Sequence, residues 1–346
     1  MLAIDDREPM LFEQDVLEIA LESLRSRRES GLAPALHGRR RLRRRTVIRI
    51  AAAGLAIAIA IPIALPGGVT GGADPAAAAV LHRVALRAAK QPPAPTPGPG
   101  QFLYTRSESD TTFLYVVGDG RTVFFRQPQI RASWIGIDGS GRILNTAGSV
   151  TFPTEEDRAT WIAAGSPDLC ADVCQGRTDG ELFGPGELIY ANYPDLPTDP
   201  EELLELIERR ELIGGPHGDW ETFAIIGDLL RETSLQPKER AALYQVAAEL
   251  PGVELVGRVV DGSGRPGVAV AYTRTNTDAP SRHKLIFDPM TAELLGENEV
   301  LIADSTVDVE SGGPGAIYGL VGPAGTNAFE TTYLVSGVVD STTESL

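Results

Sequence analysis

Residues 253–302 read VELVGRVVDGSGRPGVAVAYTRTNTDAPSRHKLIFDPMTAELLGENEVLI, and this stretch decides the fold. It alternates short runs of β-branched and aliphatic residues with turn sequences such as DGSGR at 261–265. Runs of this kind, broken by Gly, Pro and Asp, are typical of β-strands joined by hairpins. The run TTYLVSGVVDS at 331–341 continues the pattern. The C-terminal part of the chain is therefore predicted to form an antiparallel sheet.

Residues 101–145 show the same pattern. The runs FLYTRS, TTFLYVV and RTVFFRQ predict short strands, with Gly118-Asp119-Gly120 as a hairpin turn. DGSGR recurs at 138–142, inside WIGIDGSGRILN. A repeated DGSGR could suggest calcium, but it lacks the spaced carboxylates and distant Glu of an EF-hand. We therefore predict plain turns whose glycines supply positive φ.

Helical sequences lie between the two groups of strands. Thr154 and Asp199-Pro200 are good helix starts, and Thr154 with Asp157 approximates a capping box. The helices at 218–232 and 236–250 carry apolar stripes at three- and four-residue steps, which predicts packing in a core. The stripe residues are Trp220, Phe223, Ile226, Leu230, Leu243, Val246, Ala247 and Leu250. Strands, then helices, then strands indicate an α+β fold with an antiparallel sheet.

A twenty-residue apolar run at 46–65, TVIRIAAAGLAIAIAIPIAL, contains one charge, Arg49. At about 1.5 Å per residue, a helix of this length spans roughly 30 Å, the hydrocarbon thickness of a bilayer. Arg49 can reach the headgroups, and Pro62 lies in the last turn, where a lost hydrogen bond is tolerated. We predict a transmembrane helix over 46–66.

Six arginines precede this run, whereas the flank at 66–75 has no basic residue. They are Arg39, Arg40, Arg41, Arg43, Arg44 and Arg45. The positive-inside rule then predicts a single-pass protein of the cell membrane, with residues 1–45 in the cytoplasm. The formal net charge of −16 follows this division. Residues 1–49 hold 11 Arg and 8 Asp or Glu, giving +3, and the remainder holds 20 basic and 39 acidic residues, giving −19.

The apolar run has two other interpretations. A buried core helix fits poorly beside six arginines. A cleaved export signal is suggested by Arg44-Arg45, which begins a twin-arginine pattern, and by small residues at 71–79. However, a preceding segment of about 45 residues is long for a signal.

The predicted cytoplasmic segment contains an amphipathic helical pattern over 10–28. Its apolar face would lie on the anionic leaflet or bind a cytoplasmic regulatory partner. An anti-sigma domain with a His and Cys zinc cluster is not indicated, because His37 stands alone there. Nucleic-acid binding is not expected, since no aromatic residues are interleaved with the arginines.

After the span, Asp74-Pro75 begins a helix that ends near Lys90, and its predicted packing face is Leu81, Val84, Ala85 and Ala88. The sequence QPPAPTPGPG at 91–100 has no side chains to build a core and predicts a linker. We therefore assign 67–100 to a juxtamembrane helix and linker. Residues 101–346 are predicted to be one exported domain.

Cys170 and Cys174, in CADVC, are the two cysteines of the chain and lie on the predicted exported side. Because thiols oxidise there, we predict a small-ring disulfide between them. A redox pair would favour C-x-x-C at a helix start, and a zinc site needs more ligands than this pattern provides.

The sequence contains no nucleophile elbow, metalloprotease helix, phosphate loop or dinucleotide fingerprint. His217 and His283 have no evident partners, and an isolated His is usually solvated. The many carboxylates do not single out an acid/base pair. We predict no enzyme activity, no cofactor and no metal site.

Several segments together resemble a family of actinobacterial single-pass membrane proteins that are uncharacterised and named only after a locus tag. The matching segments are GPGQFLY (98–104), EEDRATWIAAGSPDL (155–169), FGPGEL (183–188), LPTDPEELLELI (196–207), IIGDLLRETSLQP (225–237), RAALYQVAAELPGVELVG (240–257), DGSGRPGVAV (261–270), LIFDPMTAELLGE (285–297) and YLVSGVVDSTTE (333–344). The resemblance implies one span before an exported domain and assigns no catalytic residue. Two features depart from it: Ala292, where the family usually has Gly, and the CADVC pair.

The order of helix, FLYTRS and late strands is also similar, more loosely, to the half-barrels of lipoprotein carriers and of periplasmic regulators of anti-sigma factors. That similarity implies a curved antiparallel sheet covered by helices. The expected function is an exported domain that binds an apolar ligand, a lipid or an envelope protein, with a role in signalling. The alternative is a structural or assembly protein of the cell envelope, and an exported hydrolase is the least favoured.

Overall fold

The computed structural model describes residues 72–169, 181–187, 196–209, 218–232, 234–306 and 313–346. The chain divides into two compact units, Met1–Gly68 and Val69–Leu346, and the described residues all belong to the second. The predicted span at 46–66, the six arginines before it, Cys170 and Cys174 therefore lie outside the described residues. Within the described part, no helix is both long and apolar enough to cross a bilayer.

Ten strands form one sheet, and every pairing described between them is antiparallel. They are β1 (Phe102–Val116), β2 (Thr122–Gly136), β3 (Gly141–Ala147), β4 (Glu181–Phe183), β5 (Val253–Val260), β6 (Pro266–Arg274), β7 (Ser281–Phe287), β8 (Leu294–Leu301), β9 (Ile317–Gly319) and β10 (Asn327–Val339). The strand order is β4-β3-β2-β1-β10-β8-β7-β6-β5, and β9 pairs with β1. The last strand thus joins the early strands to the late ones.

Five helices lie in the described ranges: α1 (Pro75–Ala88), α2 (Glu155–Ala163), α3 (Pro200–Glu208), α4 (Asp219–Glu232) and α5 (Pro237–Glu249). Four of them follow β3 in the sequence and precede β5, apart from the short strand β4 among them. The predicted α+β fold with a large antiparallel sheet is confirmed.

The predicted short strands FLYTRS and TTFLYVV are wrong as separate elements. They form one 15-residue strand, β1, which pairs with β2 along its whole length, from Phe102 opposite Gly136 to Val116 opposite Thr122. The polar residues 107–110 between the two runs suggested a break. In the sheet they alternate between its faces and keep their backbone bonds, so the strand continues.

The predicted helix starts are confirmed by their hydrogen bonds. The Asp74 side chain accepts from the backbone N–H of Ala77, and the Thr154 hydroxyl accepts from that of Asp157. Asp199 accepts from Glu201 and Glu202. Each cap satisfies N–H groups that have no partner within the helix.

The main hydrophobic core lies between four helices and the late strands. The predicted stripe residues of α4 and α5 are all buried, with Phe223, Ile226 and Leu243 fully so. All of them except Trp220 belong to the same core cluster as Val270, Leu285 and Phe287 of the sheet. These stripes therefore serve the core, as predicted.

Helix α1 belongs to this same core. Ala77, Leu81, Val84, Ala85 and Ala88 are at most 2% exposed and pack among residues of α5 and the late strands. The Pro-rich segment after α1 is also attached: Gln236 Nε2 donates to the Ala94 carbonyl, and the Ser234 hydroxyl donates to that of Pro95. The segment assigned to helix and linker thus packs with the domain that follows it.

Ala292 has a backbone φ of 61°, in the left-handed region that favours glycine. It lies in the turn between β7 and β8, where its N–H donates to the Asp288 carbonyl. Its methyl group is fully buried in the main core, and the Tyr244 hydroxyl donates to its carbonyl. The resemblance leads us to expect Gly at this position, and the methyl group that Ala292 adds is buried in the core.

The sheet has two faces with different surroundings. We call the face that carries Val270, Leu285 and Phe287 the inner face, because α4 and α5 pack on it. The opposite face, the outer face, carries the side chains that alternate with these along each strand. The polar groups of the two faces form the two candidate sites.

Candidate functional site

A groove of about 500 Å³ crosses the outer face over β2, β1 and β10. Glu108 and Asp110 of β1 and Glu330 and Thr332 of β10 line its floor. The remaining lining residues include Arg126, Pro128, Ile130, Thr146, Gly148 and Gly262. Ile130 is 36% exposed, so the groove offers apolar surface beside its charges.

Two carboxylates oppose each other in the floor of the groove. Asp110 of β1 is the direct cross-strand partner of Glu330 of β10. Like charges at such positions destabilise a sheet. Arg126 lies 2.8 Å from one Asp110 carboxylate oxygen and compensates one charge. The other Asp110 oxygen is buried and has no hydrogen-bond partner.

The pKa of Asp110 is raised above its usual value. Burial is the largest cause, Arg126 opposes it, and the charge of Glu330 raises the pKa further. Lys284 of β7 lies in the same row of cross-strand neighbours, two strands from Glu330. Burial lowers the pKa of Lys284, although the charge of Glu330 opposes this. Three carboxylates and one guanidinium line the groove, so a positive charge placed in it would be stabilised.

The turn at 261–265 forms one wall of the groove. Asp261 Oδ1 accepts from the backbone N–H groups of Ser263 and Arg265, and the Arg265 guanidinium pairs with Asp261 at 2.6 Å. Arg265 also donates to the Tyr333 carbonyl at 2.5 Å and to the Leu295 carbonyl at 3.0 Å. The turn predicted from DGSGR thus also fixes the β5–β6 hairpin to β8 and β10.

Gly262 is the closest part of that wall to the sheet. A β-carbon there would collide with the Thr332 hydroxyl oxygen, so the turn approaches β10 only because the residue is glycine. In the described part of the chain, no group of three or more His, Cys, Asp or Glu side chains could hold a metal ion. Both DGSGR segments are turns there, with Gly139 and Gly264 at positive φ.

An aromatic patch lies on the same outer face, toward the start of β1. We define it as Phe102, Tyr104, Trp134, Val335 and Val339. The ring centroids of Tyr104 and Trp134 are 5.1 Å apart, and the Arg142 guanidinium lies 5.3 Å from the Trp134 ring. Residues 340–346, here called the tail segment, lie on this patch: Trp134 Nε1 donates to the Glu344 carbonyl.

The inner face holds a buried ion network of Asp228, Arg231, His283, Glu297 and Tyr333. Arg231 lies 2.6 Å from both Asp228 and Glu297. Glu297 also accepts from the Tyr333 hydroxyl at 2.5 Å, and its other oxygen lies 3.0 Å from His283 Nε2. The network joins α4 to β7, β8 and β10. Arg231 makes charge-assisted hydrogen bonds to two carboxylates, and such bonds fix the orientation of the side chains that they join.

The expectation that His283 is solvated and unpartnered is wrong. Its side chain is 6% exposed, bonds Glu297, and packs edge-on against Phe223 and Phe329. Its Nδ1 is buried without a partner. The pair could not be found in the sequence because His283 lies on β7 and Glu297 on β8. Local sequence patterns do not specify the register in which two strands pair.

The pKa of His283 is raised and the pKa of Glu297 is lowered. Burial lowers the pKa of His283, but the hydrogen bond and charge of Glu297, with Glu299 and Asp228, outweigh it and raise the pKa above 6.5. Burial raises the pKa of Glu297, but Arg231 and His283 outweigh it and bring the pKa to about 2. We infer that the pair exists as imidazolium and carboxylate in mildly acidic solution.

A second ionic contact holds the other end of α4. The Ser281 hydroxyl donates to Glu299, and Arg274 lies 3.8 Å from the same carboxylate. The Arg274 guanidinium stacks over the Trp220 ring at 4.2 Å. Through Arg274, these contacts join the start of α4 to β6 and β8 and help to fix the helix on the sheet.

One sequence signal could have located the buried charges. In LLGENEVLI, Glu297 and Glu299 fall at alternate positions of a largely apolar strand and therefore share one face. If that face is the core, both carboxylates need buried partners. The Asp110–Glu330 pair has no such signal, because it depends on β10 pairing with β1.

Comparison of the sequence with protein-family models and with curated proteins found no match. The site must therefore be interpreted from its own geometry.

Proposed function

We propose that the chain is a membrane-anchored, exported binding protein that recognises an extended, basic segment of an envelope protein in the outer-face groove. The observation that carries the proposal is the Asp110–Glu330 pair, two carboxylates opposed in the floor of an accessible groove. Residues 1–45 would report binding to a cytoplasmic regulatory partner. The membrane anchor, the family resemblance and a curved, half-barrel-like sheet are parts of the same proposal.

An envelope protein is favoured over an apolar ligand or lipid. In a half-barrel carrier the ligand would occupy the inner face. Here the described inner face is covered by α4 and α5, whose side chains pack directly on Val270, Leu285 and Phe287. The ion network fills the adjoining region with buried charges. An apolar ligand would have to displace both.

The dimensions of the groove suit a polypeptide. It crosses three neighbouring strands, which are spaced by about 4.8 Å, so its floor is on the order of 10 Å wide. About three residues of an extended chain span that distance. Exposed Ile130 offers an apolar contact to side chains, and the carboxylates favour Lys or Arg at the centre.

The test is binding of a fluorescent ten-residue peptide of alternating Lys and Thr to the full chain in nanodiscs. We expect saturable binding that weakens with salt. The double variant Asp110→Asn/Glu330→Gln should weaken it about tenfold, because two surface charges at about 0.7 kcal/mol each are removed.

The matched control is Glu156→Gln/Glu293→Gln, which removes two exposed carboxylates outside the groove and changes the net charge equally. It should bind the peptide as the native chain does. Equal weakening by both double variants would show that only overall charge matters, and the groove proposal would then be abandoned.

A further inference from the structure

The tail segment is held on the aromatic patch mainly through its own backbone. Trp134 Nε1 donates to the Glu344 carbonyl at 2.5 Å, and Arg142 donates to the Thr342 carbonyl at 3.2 Å. Within the segment, the Glu344 side chain accepts from the Asp340 N–H at 3.0 Å. Trp134 of the patch and the neighbouring Arg142 thus both donate to main-chain oxygens, which any polypeptide could supply, while the Gln101 amide donates to the Asp340 carboxylate at 2.7 Å.

The segment and the patch differ sharply in exposure. Tyr104, Trp134 and Val339 are 3–4% exposed, whereas Leu346 in the segment above them is 61% exposed. The Leu346 side chain lies directly on Gly337, where a β-carbon would collide with it. A deeply buried aromatic surface is therefore covered by a segment that buries little of itself.

The patch is continuous with the groove along the outer face. Phe102, Tyr104, Arg106, Glu108 and Asp110 are alternate residues of β1 and point to the same side. Arg106 pairs with Glu108 at 3.7 Å, which links the two regions. A polypeptide in the groove could extend over the patch if the tail segment were absent.

We propose that the aromatic patch is a second half of the polypeptide-binding surface, and that the tail segment occupies it until an extended segment of the partner displaces it. This inference rests on the proposed function. The occupant is a partner polypeptide recognised through its main-chain carbonyls, because the tail segment is itself a polypeptide bound in that way.

The test compares the full chain with a chain ending at Val339, both in nanodiscs, using the labelled peptide DSTTESL, the sequence of residues 340–346. We expect the shortened chain to bind the peptide at least tenfold more tightly than the full chain. In the shortened chain, Trp134→Phe removes the indole donor and should weaken binding about fivefold, the value of one hydrogen bond.

Trp161→Phe in the shortened chain is the matched control, since the Trp161 indole donates to the Pro167 carbonyl away from the patch. It should leave peptide binding unchanged. A shortened chain that melts cooperatively and binds no DSTTESL overturns the inference, as does equal binding to both chains.

The Lys-Thr peptide distinguishes failure of the inference about the tail segment from failure of the proposed function. If it binds the shortened chain and DSTTESL does not, the inference about the tail segment fails alone. If neither peptide binds, the proposed function fails as well. Size-exclusion with light scattering identifies a third outcome, exchange of tail segments between two copies, which would also replace the partner model.

Discussion

At the residue scale, His283 is the group whose ionisation matters most for stability. Its partners in space come from every element packed against it: Glu297 and Glu299 of β8, Asp228 and Arg231 of α4, and Tyr333 of β10. Asp228, Glu297 and Glu299 carry three negative charges, against two positive charges on Arg231 and Arg274. Protonated His283 therefore brings this buried group close to neutrality.

Stability should fall as the pH rises above neutrality. Because the folded-state pKa of His283 lies above 6.5, its contribution is fully present below pH 6.5 and is lost as the pH rises through the folded value. His283→Gln can still donate to Glu297 but cannot titrate. We expect its free energy of unfolding, measured by urea at pH 6 and pH 8, to change less than that of the native chain.

His82→Gln is the control for this measurement, because His82 is exposed on α1. It should keep the native pH dependence. If the free energy of unfolding changes equally between pH 6 and pH 8 in the native chain and in His283→Gln, another group controls stability in this pH range.

At the element scale, helix α4 depends on ionic contacts as well as apolar packing. Arg231→Met should destabilise the protein by about 3–5 kcal/mol, because Asp228 and Glu297 would remain buried without their cation. The free energy of unfolding in urea measures this loss.

The control for Arg231 is Arg209→Met. Arg209 lies 4.0 Å from Glu205, and the two side chains are 59% and 64% exposed. Such a pair contributes little, so we expect a change within about 0.5 kcal/mol. A similar effect of both substitutions would show that the buried network carries no special weight.

Most elements could be predicted from the sequence because their signals are local. The caps at Asp74, Thr154 and Asp199, the stripes of α4 and α5, and the late strands all rest on neighbouring residues. The length of β1 could not be predicted, because its polar centre is held by pairing on both sides. The groove and the ion network also require the register between distant strands, which local patterns do not specify.

At the scale of the whole molecule, α1 is an integral part of the domain. A fragment that begins at residue 101 would leave the apolar surface beneath Leu81 and Val84 open to water. We expect fragment 72–346 to unfold cooperatively in thermal melts followed by near-ultraviolet circular dichroism, and fragment 101–346 to show no cooperative transition.

Leu86→Ala in fragment 72–346 provides the comparison for this experiment, because Leu86 is 61% exposed on the other side of α1. It should melt close to the unaltered fragment. Equal melting temperatures for the fragments that begin at 72 and at 101 would show that α1 is dispensable.

The pairing of β1 with β10 has a consequence for how the chain acquires its structure. Phe102 lies opposite Val339, so the central pair of the sheet is formed by one early and one late segment of the described domain. Contacts between residues so far apart in the sequence form slowly, and they require both strands to have been synthesised. During synthesis the early hairpin must therefore wait with an unpaired edge until the final strand emerges, and an unpaired edge is the part of a sheet most prone to aggregation.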